Sequence, residues 1–334
     1  MASFGFTYGR DGGVVFLTEV AGRETAKAVF ENDRLPQCGI IDRRALQLIP
    51  NFKTAALIVC DTERRSLSED DKLSATIDHW RANNDDLLVL NRPHGPMRRY
   101  ELLRTLHQNG VNKSNIFRLD DPSVIDLIRF PCFIRFENDH NINLPVPALI
   151  HSRDEFRDAV AKLRASNQSM VGRVAIEFED LRDQSGNFVK MSYLRIGDRV
   201  MPVHRFVGRT WFLKYPDPDL IADDPTILER EREFISQRTF QKEIKEVFDL
   251  ARIEYGRIDF APTPDGKIQI FEINTNPNYP SLAHAGLRKE VIEKYHDEAA
   301  DAFGDLIKGR TPVKLSWPRE KYLNAIKRRI TGEK

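Results

Sequence analysis

Two carboxylates, an amide and a guanidinium fall close together in the string YGRIDFAPTPDGKIQIFEINTNP, as Arg257, Asp259, Glu272 and Asn274. Two apolar runs flank Asp265-Gly266, a dipeptide suited to the positive-φ positions of a type I′ turn, so the string predicts a two-stranded hairpin. A two-residue loop sets Pro264 against Lys267, Asp259 against Glu272 and Arg257 against Asn274, with all four polar groups on one face because strand side chains alternate. Ile258 then meets Ile273, and Phe260 meets Phe271, on an apolar face suited to a helix layer. Carboxylates placed roughly 5 Å apart at Cβ repel unless a cation lies between them. A hard divalent ion meets that need. Asp, Glu and Asn offer only oxygen, which suits Mg²⁺ and leaves coordination places for water and nucleotide phosphates. The alternative is a surface hairpin whose charges are solvated or paired with Arg257.

The pattern G-R-x-D, followed after the turn by E-I-N-T-x-P, closely resembles the C-terminal motif of ATP-grasp ligases such as D-alanine:D-alanine ligase and the ribosomal-protein and glutathione ligases. The resemblance implies that Asp259, Glu272 and Asn274 bind magnesium and that Arg257 steadies the acyl phosphate and the tetrahedral intermediate. Upstream, FPCFIRF followed by the HSRDEFRDAVAKL helix is similar to the family's phosphate-contacting segment, which puts Arg135 where a lysine normally stands. Arg99 falls at the second such lysine. Both exchanges keep the charge and supply a planar fork of donors. VAIEFED resembles the strand that links the two ATP-clamping lobes, so backbone groups of Glu177 and Phe178 are expected to bond adenine, and Lys214 is a further candidate phosphate ligand. The chain departs from the family at ENDHNINLPVP, which has no glycine where a glycine- and serine-rich loop usually covers the phosphates; His140 and the asparagines are the polar groups available there.

These residues need a scaffold. Between Val14 and Leu90 short apolar runs (VVFL, AALIVC, DLLVL) alternate with helix-like stretches such as GRETAKAVFEND, the pattern of a small α/β lobe with a parallel sheet. Ser68 and Asp71 are spaced to cap the next helix. The helical stretch MRRYELLRTLHQ stops at Asn109-Gly110, and His151 to Asn167 reads as an amphipathic helix burying Phe156, Val160 and Leu163. VGRVAIEF, FVKMSYLRIG and RVMPVHRFV read as antiparallel strands, the last two joined by a tight turn at Gly197-Asp198. A helical stretch from Pro225 to Leu250 leads into the hairpin. The expected fold is α/β, more exactly α+β in the clamp: an ATP-grasp fold with nucleotide between two lobes and a parallel-sheet lobe before them. Its expected divisions are 1–95 (N-terminal lobe), 96–172 (central subdomain), 173–310 (C-terminal subdomain with the metal site) and 311–334 (a basic helical tail).

The 334 residues suffice for two or three lobes around a cleft. With 51 basic against 50 acidic side chains, no global field attracts nucleic acid or an anionic membrane. Cys38, Cys60 and Cys132 form no CxxC pair, and no apolar run approaches membrane-spanning length, so a soluble cytoplasmic protein is expected. In the tail, WPREKYLNAIKRRI reads first as a helix docked on its own domain. His204 and His284 read as structural histidines. The function implied is a carboxylate–amine ligase using ATP and Mg²⁺, with small-molecule or peptide carboxylate and amine substrates. The alternatives are a kinase on the same scaffold and a non-catalytic nucleotide-binding protein.

Overall fold

A computed structural model describes residues 13–19, 38–43, 46, 51–138, 146 and 148–316. The stretch GRETAKAVFEND, most of the glycine-free segment with His140, and the stretch WPREKYLNAIKRRI lie outside the described residues.

The N-terminal lobe is a parallel sheet of β1 (Val14–Thr18), β2 (Cys38–Asp42), β4 (Ala56–Val59) and β5 (Leu88–Leu90), in the order β2-β1-β4-β5. The core strands β1 and β4 are buried at every residue, as befits strands covered on both faces. Helix α1 (Leu67–Arg81) covers one face with Leu73, Ile77 and Trp80. It is capped two residues earlier than Ser68 and Asp71 suggest. Ser66 accepts from Glu69 N, and Glu69 reaches back to Ser66 N, because this pair lies where the chain leaves the extended conformation. The other face packs Phe16, Ala56 and Ile58 against Ile196, Tyr255 and Phe303 of the C-terminal half.

Helix α2 (Arg99–Gln108) ends at Asn109 and Gly110, whose φ of +70° fits the glycine. The central lobe has β6 (Ile116–Arg118), β7 (Cys132–Phe136) and β8 (Arg173–Glu177) in the order β6-β8-β7, covered by α3 (Arg153–Ala165) through Phe156, Ala159 and Leu163. The C-terminal sheet is antiparallel in the order β10-β9-β11-β12, from β9 (Phe188–Ile196), β10 (Arg199–Gly208), β11 (Tyr255–Pro262) and β12 (Ile268–Asn274). The short helix α4 (Pro218–Asp223) is followed by α5 (Thr226–Gln237) and α6 (Gln241–Ala251), which are separate helices because Arg238 and Phe240 take positive φ between them. They bury Phe234, Ile235, Val247 and Phe248 against that sheet.

After α7 (Lys289–Ile307) the chain returns to the N-terminal lobe. Val313–Leu315, at the start of the segment read as a basic helical tail, form strand β13 instead and pair with β3 (Phe52–Thr54). The Val-Lys-Leu alternation places Leu315 with Phe52 and Trp80 in the lobe's core, and Trp80 donates to Ser316 O at 2.8 Å. Among the described residues, no helix is long and apolar enough to cross a membrane.

Candidate active site

Three anchors fix the β11–β12 hairpin. At its start, Asn91 donates to Tyr255 O at 2.7 Å and accepts from Glu254 N at 2.8 Å and Tyr255 N at 3.1 Å. At its free edge, the Asn112 side chain serves as a substitute strand, bonding both N and O of Ile270 at 2.9 Å. At its end, Thr275 accepts from Thr62 N at 2.9 Å and donates to Glu63 at 2.9 Å. Gly256 is needed at the start because a Cβ there would sit 3.0 Å from Asn274 O and 3.2 Å from both Ile253 and Ile273.

The expected register holds where the charges are: Arg257 pairs with Asn274, Ile258 with Ile273 and Asp259 with Glu272. It holds through two departures that cancel. The turn has three residues, Pro264 to Gly266, closed by Thr263 N to Lys267 O at 2.9 Å, with a positive φ only at Gly266 and not at Asp265, so it is not type I′. That loop alone would slip the pairing by one residue. A bulge at Phe271 restores it, so Phe260 pairs with Ile270 rather than with Phe271. Phe271 is thereby freed from the apolar face and stands 38% exposed at the edge of a cleft.

That cleft holds about 1140 Å³ of empty space, some of it open solvent. Its charged end carries Arg135, Lys190, Asp259 and Glu272, and its other end carries Phe133, Phe178, Trp211 and Phe212. Arg99, the first residue of α2, is buried behind it and pairs with Glu272 Oε2, while Arg135 comes within 3.8 Å of the same oxygen. Arg99 also donates to Glu137 O, which ties β12 to the end of β7. On the facing strand, Asp259 Oδ1 accepts from Arg257 Nε at 3.1 Å and from Ser192 Oγ at 2.6 Å, and Lys190 Nζ lies 3.5 Å from Oδ2. Burial opposes the Arg257 charge, yet Asp259, Tyr295 and Glu272 raise its pKa above the ordinary value, so it is a permanent cation.

Each carboxylate is thus balanced by cations that phosphate groups could take over. The donor set fits a hard cation: two facing carboxylates and the Asn274 amide oxygen, which accepts Asn276 N–H at 2.8 Å and keeps a second lone pair. Among the described residues no group of three or more His, Cys, Asp and Glu side chains could by itself cage an ion. A Mg²⁺ ion that shares its shell with phosphates and water needs no such cage.

At the opposite end, of the backbone groups of Glu177 and Phe178 expected to bond adenine, the two N–H groups donate to Asn115 O and Pro131 O at 3.0 and 2.9 Å. The strand that carries them is stitched to its neighbours, and the Glu177 carboxylate adds bonds to Asn115 N and Arg129 N at 3.0 and 2.9 Å. Trp211 packs on Phe133 and Phe178 with centroids 5.0 and 5.6 Å apart, and the Lys214 ammonium rests 5.3 Å from the Phe212 centroid, inside the lining.

No family model matches the sequence, and no curated protein does. Solved structures do match. The ATP-grasp ligase PsnB with a minimal precursor superposes with a TM-score of 0.53 at 13% identity over 89% of this chain and all of that one. PsnB with a phosphomimetic precursor variant, Mg and ADP gives 0.52 at 13% identity over 89% of this chain and 99% of that one. The D-alanine–D-alanine ligase of Coxiella burnetii gives 0.51 at 12% identity over 97% of this chain and all of that one. The chain has the ATP-grasp fold.

Within the ATP-grasp fold, three functional-looking residues escaped the sequence reading: Lys190, Ser192 and Trp211. Lys190 and Ser192 had a legible signal, since alternation along FVKMSYL puts these two polar side chains on one face of an otherwise apolar run. Nothing local marks Trp211, which reaches the cleft from the segment after β10.

Proposed function

We propose that this chain is an ATP-dependent carboxylate–amine ligase. The observation that carries the reading is the facing pair Asp259 and Glu272 at the charged end of an aromatic-lined cleft, each held by cations. The likeness of fold to ligases, one of them complexed with Mg and ADP, supports it. Asp259, Glu272 and Asn274 would hold Mg²⁺, which when bound neutralises the β and γ phosphates. Arg99 and Arg135 would exchange Glu272 for phosphate oxygens, with Lys214 in reach of the same cleft, and the nucleobase would lie among Trp211, Phe178 and Phe133. A substrate carboxylate oxygen then attacks the γ-phosphorus and ADP leaves. The amine nitrogen attacks the acyl carbon, the bond to phosphate breaks and the nitrogen loses a proton. Arg257, charged and fixed by Asp259 and by Asn278 O at 3.2 Å, stabilises the oxyanion.

The PsnB structures contain precursor peptides, which makes a peptide carboxylate one substrate class to test beside free amino acids. Cys38, Cys60 and Cys132 are buried, and their spacing offers no CxxC pair, which favours a reducing cytoplasm. The test is phosphate release from ATP and Mg²⁺ with pooled carboxylates and amines, followed by product mass. The ligase reading requires release that depends on both pools and a product equal to their sum less water. A product heavier by one phosphoryl group would make it a kinase, and tight nucleotide binding with no turnover would make it a binding protein.

A further inference from the structure

Asp259 Oδ1 accepts the Ser192 hydroxyl at 2.6 Å, and Ser192 Oγ lies 2.8 Å from Nε2 of His204. The three residues cross three neighbouring strands in register, Asp259 opposite Ser192 and Ser192 opposite His204. The second pairing exists only because β10 bulges between Pro202 and His204. Without that bulge Val203 would face Ser192 and His204 would be one position out of reach. We propose that His204 is a positioning residue for the magnesium ligand Asp259, acting through Ser192. This rests on the reading of Asp259 as a metal ligand.

A serine hydroxyl has one proton. With that proton given to the Asp259 carboxylate, Ser192 can only accept from His204, so the imidazole carries N–H at Nε2. Burial, with the cations Arg257, Lys190 and Arg288 facing it, holds the His204 pKa well below 6.5, and the neutral ring has the single N–H this requires. Phe206 stacks on the ring at 3.7 Å with planes 8° apart, which keeps Nε2 aimed at the strand. One carboxylate oxygen is therefore fixed by the relay, and Oδ2, beside Lys190, is left for the ion. Supports of this kind orient ligands and raise metal affinity.

The test titrates Mn²⁺ into the full chain with a non-hydrolysable ATP analogue, reading free Mn²⁺ by electron paramagnetic resonance. Ser192→Ala and His204→Leu should raise the Mn²⁺ dissociation constant about 10- to 100-fold. Ser192→Thr, which keeps the hydroxyl, and His204→Gln, which keeps an N–H donor near the Nε2 position, should stay within about threefold of wild type. Affinity for the analogue without metal should not change. Wild-type Mn²⁺ affinity in Ser192→Ala, or equal losses in the alanine and threonine variants, would overturn the relay alone. Absence of any nucleotide-dependent Mn²⁺ site in the wild type would overturn the metal reading of Asp259 and the relay with it. Should His204→Leu fail to fold, His204→Asn, whose amide stops near the Nδ1 position and cannot reach Ser192, takes its place, and wild-type Mn²⁺ affinity in that variant would overturn the relay.

Discussion

At one end of the cleft Lys190, Asp259 and Glu272 stand on adjoining strands, where register decides which groups meet, while at the other Phe133, Phe178, Trp211 and Phe212 converge from a strand and two connecting segments. At the charged end both carboxylates are engaged: Glu272 serves Arg99 and Arg135, and Asp259 serves Arg257, Lys190 and Ser192. At the aromatic end several rings share one task. A missing oxygen should therefore be fatal at the first end, and a missing ring should be only costly at the second, because charge pairing needs particular atoms whereas stacking needs area.

The largest effect belongs to the carboxylates. Asp259→Asn and Glu272→Gln should each lower ATP turnover by about a thousandfold or more with the fold retained, measured as kcat beside circular dichroism. Full activity in either purified variant would sink the metal assignment and, with it, the contrast between the two ends. Next come the cations. Arg135→Ala should lower kcat/KM for ATP by about a hundredfold, and Arg135→Lys should recover part of that, since lysine keeps the charge without the fork. A lysine variant no better than alanine would show that geometry outweighs charge here.

Trp211→Ala should raise the KM for ATP by about tenfold and change kcat by less than about twofold, the signature of lost ground-state stacking. An equal fall in kcat would mean that the aromatic end also shapes the transition state. This end was the illegible one. Spacing in YGRIDF and FEINTNP carried the polar face because strand alternation turns sequence positions into directions, and the two departures, the three-residue turn and the Phe271 bulge, happened to cancel before the charges. Trp211 is placed by tertiary packing against Phe133 and Phe178, which no local pattern encodes. The parallel lobe was legible because strands buried on both faces are apolar runs, whereas β13 was not, since three residues near the tail carry little periodic signal.

The smallest effect is in stability. His204, which reaches the charged end only through Ser192, is buried and neutral beside Arg257, Lys190 and Arg288, and its pKa is depressed well below 6.5 by burial first and those cations second. As pH falls below 6.5 the unfolded chain takes up a proton that the folded His204 refuses, so the folded state loses up to about 1.4 kcal/mol per pH unit until its own depressed pKa is reached. Above 6.5 neither state binds the proton and the contribution is flat. His204→Gln removes the titration and keeps a donor for Ser192, so the gap in thermal midpoint between wild type and variant should shift in the variant's favour from pH 7 to pH 5. A gap constant over that range would mean that His204 can protonate in place, and the neutral ring assigned to the Ser192 relay would have to be given up.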